Sequence, residues 1–364
     1  MPTKRLIAPF YERLALILIG VCILGYVVVA GKEILDPMIF GFLFAVLLLP
    51  VSNFLEKKFR LPRSASSFIS ILLLVGFVGG ILYLIGSQIS NIANDWPMLK
   101  TQVTESIGNL QVWVQETFHI NASKQLTYVH STADKIMASG TAVLGTTFGA
   151  VSSLLLFYVF ILIFTFFILF YRRLLFRFVI QVFSDDHKEV VVDIVENVQK
   201  ILRQYIFGLL IEMVIVSGMA ITVFYILGIK YAALLGIIVG VFNIIPYIGI
   251  FTALLLSVIV TFATGTISQT LTVAVSVVGI HAVDANFLLP AVVGSKVRLN
   301  ALISFIGIII GEMIWGLSGM FLSIPVIAIF KIIFDRIEGL KPWGYLLGGD
   351  YEYKESAEKK MKTE

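Results

Sequence analysis

Polar and apolar positions alternate in long blocks along this chain rather than with a helical or strand period. Apolar runs cover Leu14 to Ala30, Met38 to about Phe54, Phe68 to Ile89, Leu154 to Tyr171, Tyr205 to Gly228 and Leu271 to Leu289. Each is near the ~20 residues that carry a helix across the ~30 Å hydrocarbon layer, so six full spans are expected. Two further runs are too long for one crossing. Tyr231 to about Ala263 and Leu299 to about Phe334 hold about 33 and about 36 residues against the same ~20-residue requirement.

Both overlong runs are interrupted near their centres. In the first, Phe242-Asn-Ile-Ile-Pro-Tyr-Ile-Gly249 places Pro246, which lacks an N–H, beside Asn243 and Gly249, which leave helical geometry readily. In the second, Gly311-Glu-Met-Ile-Trp-Gly-Leu-Ser-Gly319 carries Glu312. Backbone groups freed at such breaks cannot face lipid, so each run is expected to fold as a re-entrant helical hairpin with its tip buried in protein or turned toward water. A single tilted, proline-kinked helix is the other reading of the first run.

Side-counting favours hairpins. The basic clusters Lys57, Lys58, Arg60, Arg63 and Arg172, Arg173, Arg177 mark cytoplasmic loops and put both termini inside. With two simple crossings Lys296 and Arg298 fall outside, although the end at Lys331, Arg336 and Lys341 is still inside; with two hairpins both basic segments fall inside. The hairpin arrangement also yields an inverted repeat, one span and one hairpin (205–263) followed by another span and hairpin (271–334). Inverted repeats with discontinuous helices are a hallmark of secondary transporters.

The polar segments complete the layout. Gly31 to Pro37 reads as a turn between the first two spans. In 91–148, the only long polar stretch, Leu99, Val103, Ile107, Leu110, Val114 and Phe118 recur every three or four residues and predict an extracytoplasmic amphipathic helix. Its apolar stripe faces either lipid, with Trp96 and Trp113 at the interface, or other protomers. Ser184-Asp-Asp186 predicts the start of a cytoplasmic amphipathic helix that leads into the fifth span. The chain thus divides into a three-span bundle (1–90), the amphipathic segment (91–148), the fourth span with the cytoplasmic helix (149–203), a core with hairpins 231–263 and 299–334 (204–338), and a polar tail (339–364).

Composition agrees with an all-α polytopic membrane protein: 58% of the 364 residues are hydrophobic and 14% charged, against ~25% charged in soluble domains. The net charge of +4 sits in short loops, a membrane pattern rather than a nucleic-acid surface. The one cysteine, Cys22, offers neither disulfide nor metal cluster. No cofactor or metal is expected, no Gly-rich phosphate loop precedes a lysine, and three of four histidines lie outside the spans, which argues against an intramembrane enzyme.

Three stretches, Phe242 to Gly249, Asp284-Ala-Asn-Phe-Leu-Leu-Pro-Ala-Val-Val-Gly-Ser-Lys-Val297 and Gly316-Leu-Ser-Gly-Met-Phe-Leu-Ser-Ile-Pro325, together with Leu49 to Glu56 and its basic loop, resemble the autoinducer-2 exporter family of bacterial transporters. The resemblance reaches to Lys341. It implies a homo-oligomeric inner-membrane transporter, some of whose relatives export autoinducer-2 while others are sodium/proton antiporters. The family commonly has small residues where this chain has Glu312.

Ionisable groups in hydrocarbon cost on the order of 3 kcal/mol on insertion scales, so Glu212, Asp284 and Glu312 each need a partner, water or a proton. Asp284 and Glu312, with Glu212, are therefore candidates for binding a coupling ion, H+ or Na+. Asn243, Pro246, Gly249 and Asn286 are candidates for contacting a small polar solute. Against this, Asp284 with Asn286, and Glu212, have a bland reading as interhelical hydrogen bonds, and His281 as a satisfied interior histidine. A passive channel is the alternative to a carrier.

Overall fold

A computed structural model describes residues 10–94, 108, 112, 116, 154–245, 248–292 and 299–348. The apolar stripe from Leu99 to Phe118, Trp96, Trp113, Pro246, Lys296, Arg298 and the tail beyond residue 348 lie outside the described residues. The described fold is all-α, with no strand among those residues. Its helices are α1 (Phe10–Ala30), α2 (Lys32–Phe59), α3 (Arg63–Asn94), α4 (Leu154–Val182), α5 (Lys188–Ile226), α6 (Ala232–Asn243), α7 (Ile248–Thr264), α8 (Ile267–Val283), the short α9 (Leu289–Val292), α10 (Ala301–Trp315), α11 (Leu317–Arg336) and α12 (Lys341–Gly348). Among the described residues six helical stretches are long and apolar enough to cross a membrane: α2, α3, α4, α5, α8 with its continuation to Leu288, and α11.

Two boundaries differ from the sequence expectation. The turn after α1 is Gly31 alone, and α2 starts at Lys32, so that Asp36 and Pro37 lie in its opening turns. Ser184 makes no side-chain capping bond; its hydroxyl meets His187 Nδ1 at 2.8 Å, a short 3-10 turn spans Asp185–His187, and the α-helix begins at Lys188. From there the cytoplasmic helix and the fifth span are one rod of 39 residues, about 58 Å long at 1.5 Å per residue. The reason is a continuous apolar stripe. Val191, Val198, Leu202, Tyr205, Leu209, Met213, Val216, Ala220 and Phe224 are all buried, at helical spacing that runs unbroken through the anticipated boundary near residue 204.

That rod is the axis of the bundle. Its carboxyl-terminal half packs against α6, and its amino-terminal half against α2 and α11. Leu43, Leu47, Leu202, Tyr205, Leu209, Leu322 and Ile332 form the core on one side, while Val216, Phe224, Leu235, Ala253, Val273 and Val277 form it on the other. By contrast α1 exposes Leu16, Ile17, Leu18, Ile19, Val21, Ile23 and Leu24, an apolar surface on all sides that suits contact with acyl chains.

Each overlong run is broken into two helices. Antiparallel contact of α6 with α5 follows from small residues in register. A Cβ on Gly236 would fall 2.6 Å from the Ile221 nitrogen, and one on Gly240 would fall 2.6 Å from the Met213 carbonyl oxygen and 2.0 Å from the Ser217 hydroxyl. One turn along α6 is matched by one turn back along α5, as an antiparallel pair requires. The same holds between α10 and α11: Gly307 faces Ser323 and Ile327, and Gly311 faces Gly319. Between them Gly316 takes φ +66°, a left-handed conformation that glycine adopts without a Cβ clash. The open end of this second pair is closed by the Asn300 N–H, which donates to the Leu347 carbonyl at 2.7 Å.

The two limbs of the second pair are unequal, 15 and 20 residues, and α11 alone is long enough to cross. Its tip is tied to the first helix: the Trp315 indole donates to the Val28 carbonyl at 3.0 Å. At the other end Arg336 pairs with Asp193 of α5.

Candidate functional site

The register of α6 on α5 dictates what meets at the α6 end. Gly236 opposite Ile221 and Gly240 opposite Ser217 bring the last residue of α6, Asn243, level with Glu212. The third participant comes from α8. This helix is fixed at its start by a capping box, in which the Gln269 N–H donates to the Thr266 hydroxyl at 3.2 Å and the Thr266 N–H donates to the Gln269 side-chain oxygen at 3.0 Å. At its far end it widens into a π-helical turn, Asp284–Leu288, where the Leu289 N–H reaches back five residues to the Asp284 carbonyl. Pro290 has no N–H for the carbonyl four residues earlier, and a π turn absorbs that mismatch. Asp284 itself continues the buried face of Thr270, Val273, Val277 and Ile280 at regular helical spacing, so α8 carries it into the bundle, and the extra residue shifts only the positions after it.

The result is a carboxyl pair bridged by one amide. Asn243 Nδ2 donates to Glu212 Oε1 at 2.9 Å and to Asp284 Oδ2 at 3.0 Å. An amide nitrogen carries two N–H donors, so this uses both. Glu212 and Asp284 are each 3% exposed. Glu212 Oε2 and Asp284 Oδ1 are buried and accept no hydrogen bond from a donor among the described residues, while the two carboxyls stand close enough to hydrogen-bond to each other when one of them carries a proton. Two ionised carboxylates in a low-dielectric interior repel, and a single neutral amide does not offset two charges. What such a pair binds readily is a proton or a small monovalent cation.

His281, one turn before Asp284, has a buried Nδ1 without a partner among the described residues. No group of three or more His, Cys, Asp or Glu side chains able to hold a metal occurs among the described residues.

Of the candidate residues, the structure brings together Glu212, Asn243 and Asp284. Gly249 supports them from behind: a Cβ there would fall 1.9 Å from the Phe242 carbonyl oxygen, so only glycine lets α7 start against the end of α6. Asn286 stays apart. It is exposed on the π turn, and its amide donates to the Ala282 carbonyl of its own helix at 2.7 Å. Glu312 also stays apart, exposed on α10 one turn before Gly316, with its carbonyl accepting the Gly316 N–H at 2.8 Å. Pro246 is not among the described residues.

Two polar clusters escaped the sequence reading. Asp36, 4% exposed, faces Ser318 at the second tip and keeps a buried oxygen without a partner among the described residues. The signal was an acid followed by proline at a helix start, there read as turn. Where α2, α3 and α4 meet, Arg172 donates to Glu56 at 2.7 Å, Asn53 at 3.0 Å and Ser52 at 3.2 Å, while Ser66 donates to Glu56 at 2.9 Å. Its members are spread over 120 positions of sequence, so no local pattern could have joined them.

Comparison with known proteins agrees with this architecture. The family model described as AI-2E family transporter matches residues 14–339. Two Bacillus subtilis (strain 168) proteins named for transport are similar over most of their length. YueF is 26% identical over 314 residues, 83% of each chain, and YrrI is 27% identical over 316 residues, 83% of this chain and 86% of that protein. A Mycobacterium tuberculosis (strain CDC 1551 / Oshkosh) protein, also named for transport, is 24% identical over 353 residues, 94% of this chain and 93% of its own.

Proposed function

Since the chain belongs to the AI-2E family and is a multi-pass membrane transporter, we propose that it is a secondary exporter of the bacterial inner membrane. It moves a small polar solute of the autoinducer-2 kind by alternating access, coupled to H+ or Na+ at Glu212, Asn243 and Asp284. One observation carries this reading: two almost fully buried carboxyls share a single amide, and each keeps an oxygen that no donor among the described residues reaches. A carrier needs a group whose charge changes with occupancy, and a buried carboxyl pair that one proton or one cation can bridge is such a group.

The position of the set supports the same view. Asn243 ends α6 where the helix breaks, and broken helices with freed backbone groups near mid-membrane are where transporters bind their cargo. In this reading the pair α6–α7 and the pair α10–α11 are re-entrant hairpins. The contact between Glu56 after the second span and Arg172 after the fourth puts both basic clusters on one side, consistent with a cytoplasmic amino terminus. A second reading, sodium/proton antiport, uses the same carboxyl pair without a solute.

The test is counterflow in proteoliposomes, with a panel of small polar solutes and with imposed pH and sodium gradients. Exchange of labelled solute driven by either gradient, abolished in Glu212→Gln and Asp284→Asn, is the expected result. Sodium movement driven by pH without any solute selects the antiporter. Gradient-driven transport that is unchanged in both variants overturns the assignment.

A further inference from the structure

A cavity of about 450 Å³ lies between α2, α5 and α9, lined by Pro50, Arg203, Gln204, Phe207, Ile211 and Val292 among others. Its size is that of a site for a small organic molecule, for which ~300–1,000 Å³ is usual. The walls are largely apolar, yet one carries a guanidinium. Arg203 is half-buried and makes no ion pair or hydrogen bond with any described residue. Sequence explains why α5 itself cannot neutralise it: three and four residues away on either side stand Lys200, Gln199, Ile206 and Phe207, none of them acidic. The contrast with Arg172, whose guanidinium is held by Glu56, Asn53 and Ser52, is direct.

A guanidinium offers a planar fork of donors suited to two oxygens of one anion. Gln204, adjacent on the same turn, adds an amide donor, while Phe207, Ile211 and Val292 suit an organic body. We propose that this cavity binds a phosphate or carboxylate head group through Arg203 and Gln204, with the apolar body of its carrier molecule against Phe207, Ile211 and Val292. The inference goes beyond the transport reading and does not depend on it, since an anion site here would exist in a passive pore as well. If transport holds, the site stands one to three turns of α5 before Glu212. The same head-group chemistry occurs in a soluble anion and in an anionic lipid; Phe207 and Ile211 are 43% and 49% exposed, so both sources have access.

The experiment is protection of Arg203 from phenylglyoxal, read by peptide mass spectrometry on the full chain in vesicles. Exposed Arg177 serves as the internal control. In phosphatidylcholine vesicles, slowing of Arg203 modification by about fivefold at near-saturating inorganic phosphate identifies a soluble anion. Slowing only when phosphatidylglycerol is included identifies a lipid head group. In both cases Ile211→Trp, which fills the cavity from its open side, should remove the protection. Equal rates with and without both probes, protection of Arg177 in step with Arg203, or protection that survives Ile211→Trp would each overturn the proposal.

Discussion

Gly311 and Gly319 face each other backbone to backbone across the second helix pair: a Cβ on Gly311 would stand 2.2 Å from the Gly319 carbonyl oxygen, and one on Gly319 would stand 1.9 Å from that of Gly311. Neither obstacle is a flexible side chain that could swing away. Gly319→Ala should therefore push α10 and α11 apart and cost roughly 1–3 kcal/mol, the usual range for overpacking. Gly76 has open space around its would-be Cβ, so Gly76→Ala on α3 is the control. Thermal unfolding of detergent-purified protein should show a lowered midpoint for the first variant and little change for the second.

Among the described residues Asn243 alone donates to Glu212 and to Asp284, so its removal leaves both carboxyls without a donor. Asn243→Ala should cost roughly 1–3 kcal/mol for each charged acceptor left unpaired, unless protons or cations take the place of the amide. Asn243→Ala combined with Glu212→Gln should cost less than the sum of the two, because one of the stranded charges is gone. Denaturant titration of the four species of that cycle measures the difference.

The Arg172 cluster ties α2, α3 and α4 into one body, with Arg172 and Glu56 only 16% and 15% exposed. Glu56→Ala strands a mostly buried guanidinium and should destabilise by about 2 kcal/mol, less than for full burial because some solvent reaches the pair. Asp193→Ala breaks the pair with Arg336, whose acid is 55% exposed, and should cost no more than about 1 kcal/mol. Comparing the two midpoints in the same detergent checks this ranking.

Asp36 and Ser318 should cross-link when both are cysteine in a Cys22→Ser background, because α2 and the second tip meet there. Asp36→Cys with Glu312→Cys should not, since Asp36 is buried and Glu312 lies exposed on α10. Gel mobility after mild oxidation distinguishes the pairs. Cross-linking of the Glu312 pair at the same rate would show that the tip swings freely past α2.

Much of this protein is decided by sequence, because the bilayer admits so few solutions. Apolar runs of about 20 residues, the two runs that exceed that length and the interruptions at Asn243 to Gly249 and around Gly316 fix the helices and their breaks locally. What sequence could not decide is where those elements meet. Glu212, Asn243 and Asp284 are separated by 31 and 41 positions, and only the glycine register of α6 on α5 and the packing of the buried face of α8 against the same core bring them to one point. Asp284 and Asn286 stand two residues apart in the chain, yet one faces the interior and the other the exterior. Glu312 has the composition of a site residue and lies on an exposed face. Hydropathy is a sum over neighbours along the chain and is legible in one dimension, whereas the partner of a buried charge is set by distances between helices, which exist only after packing.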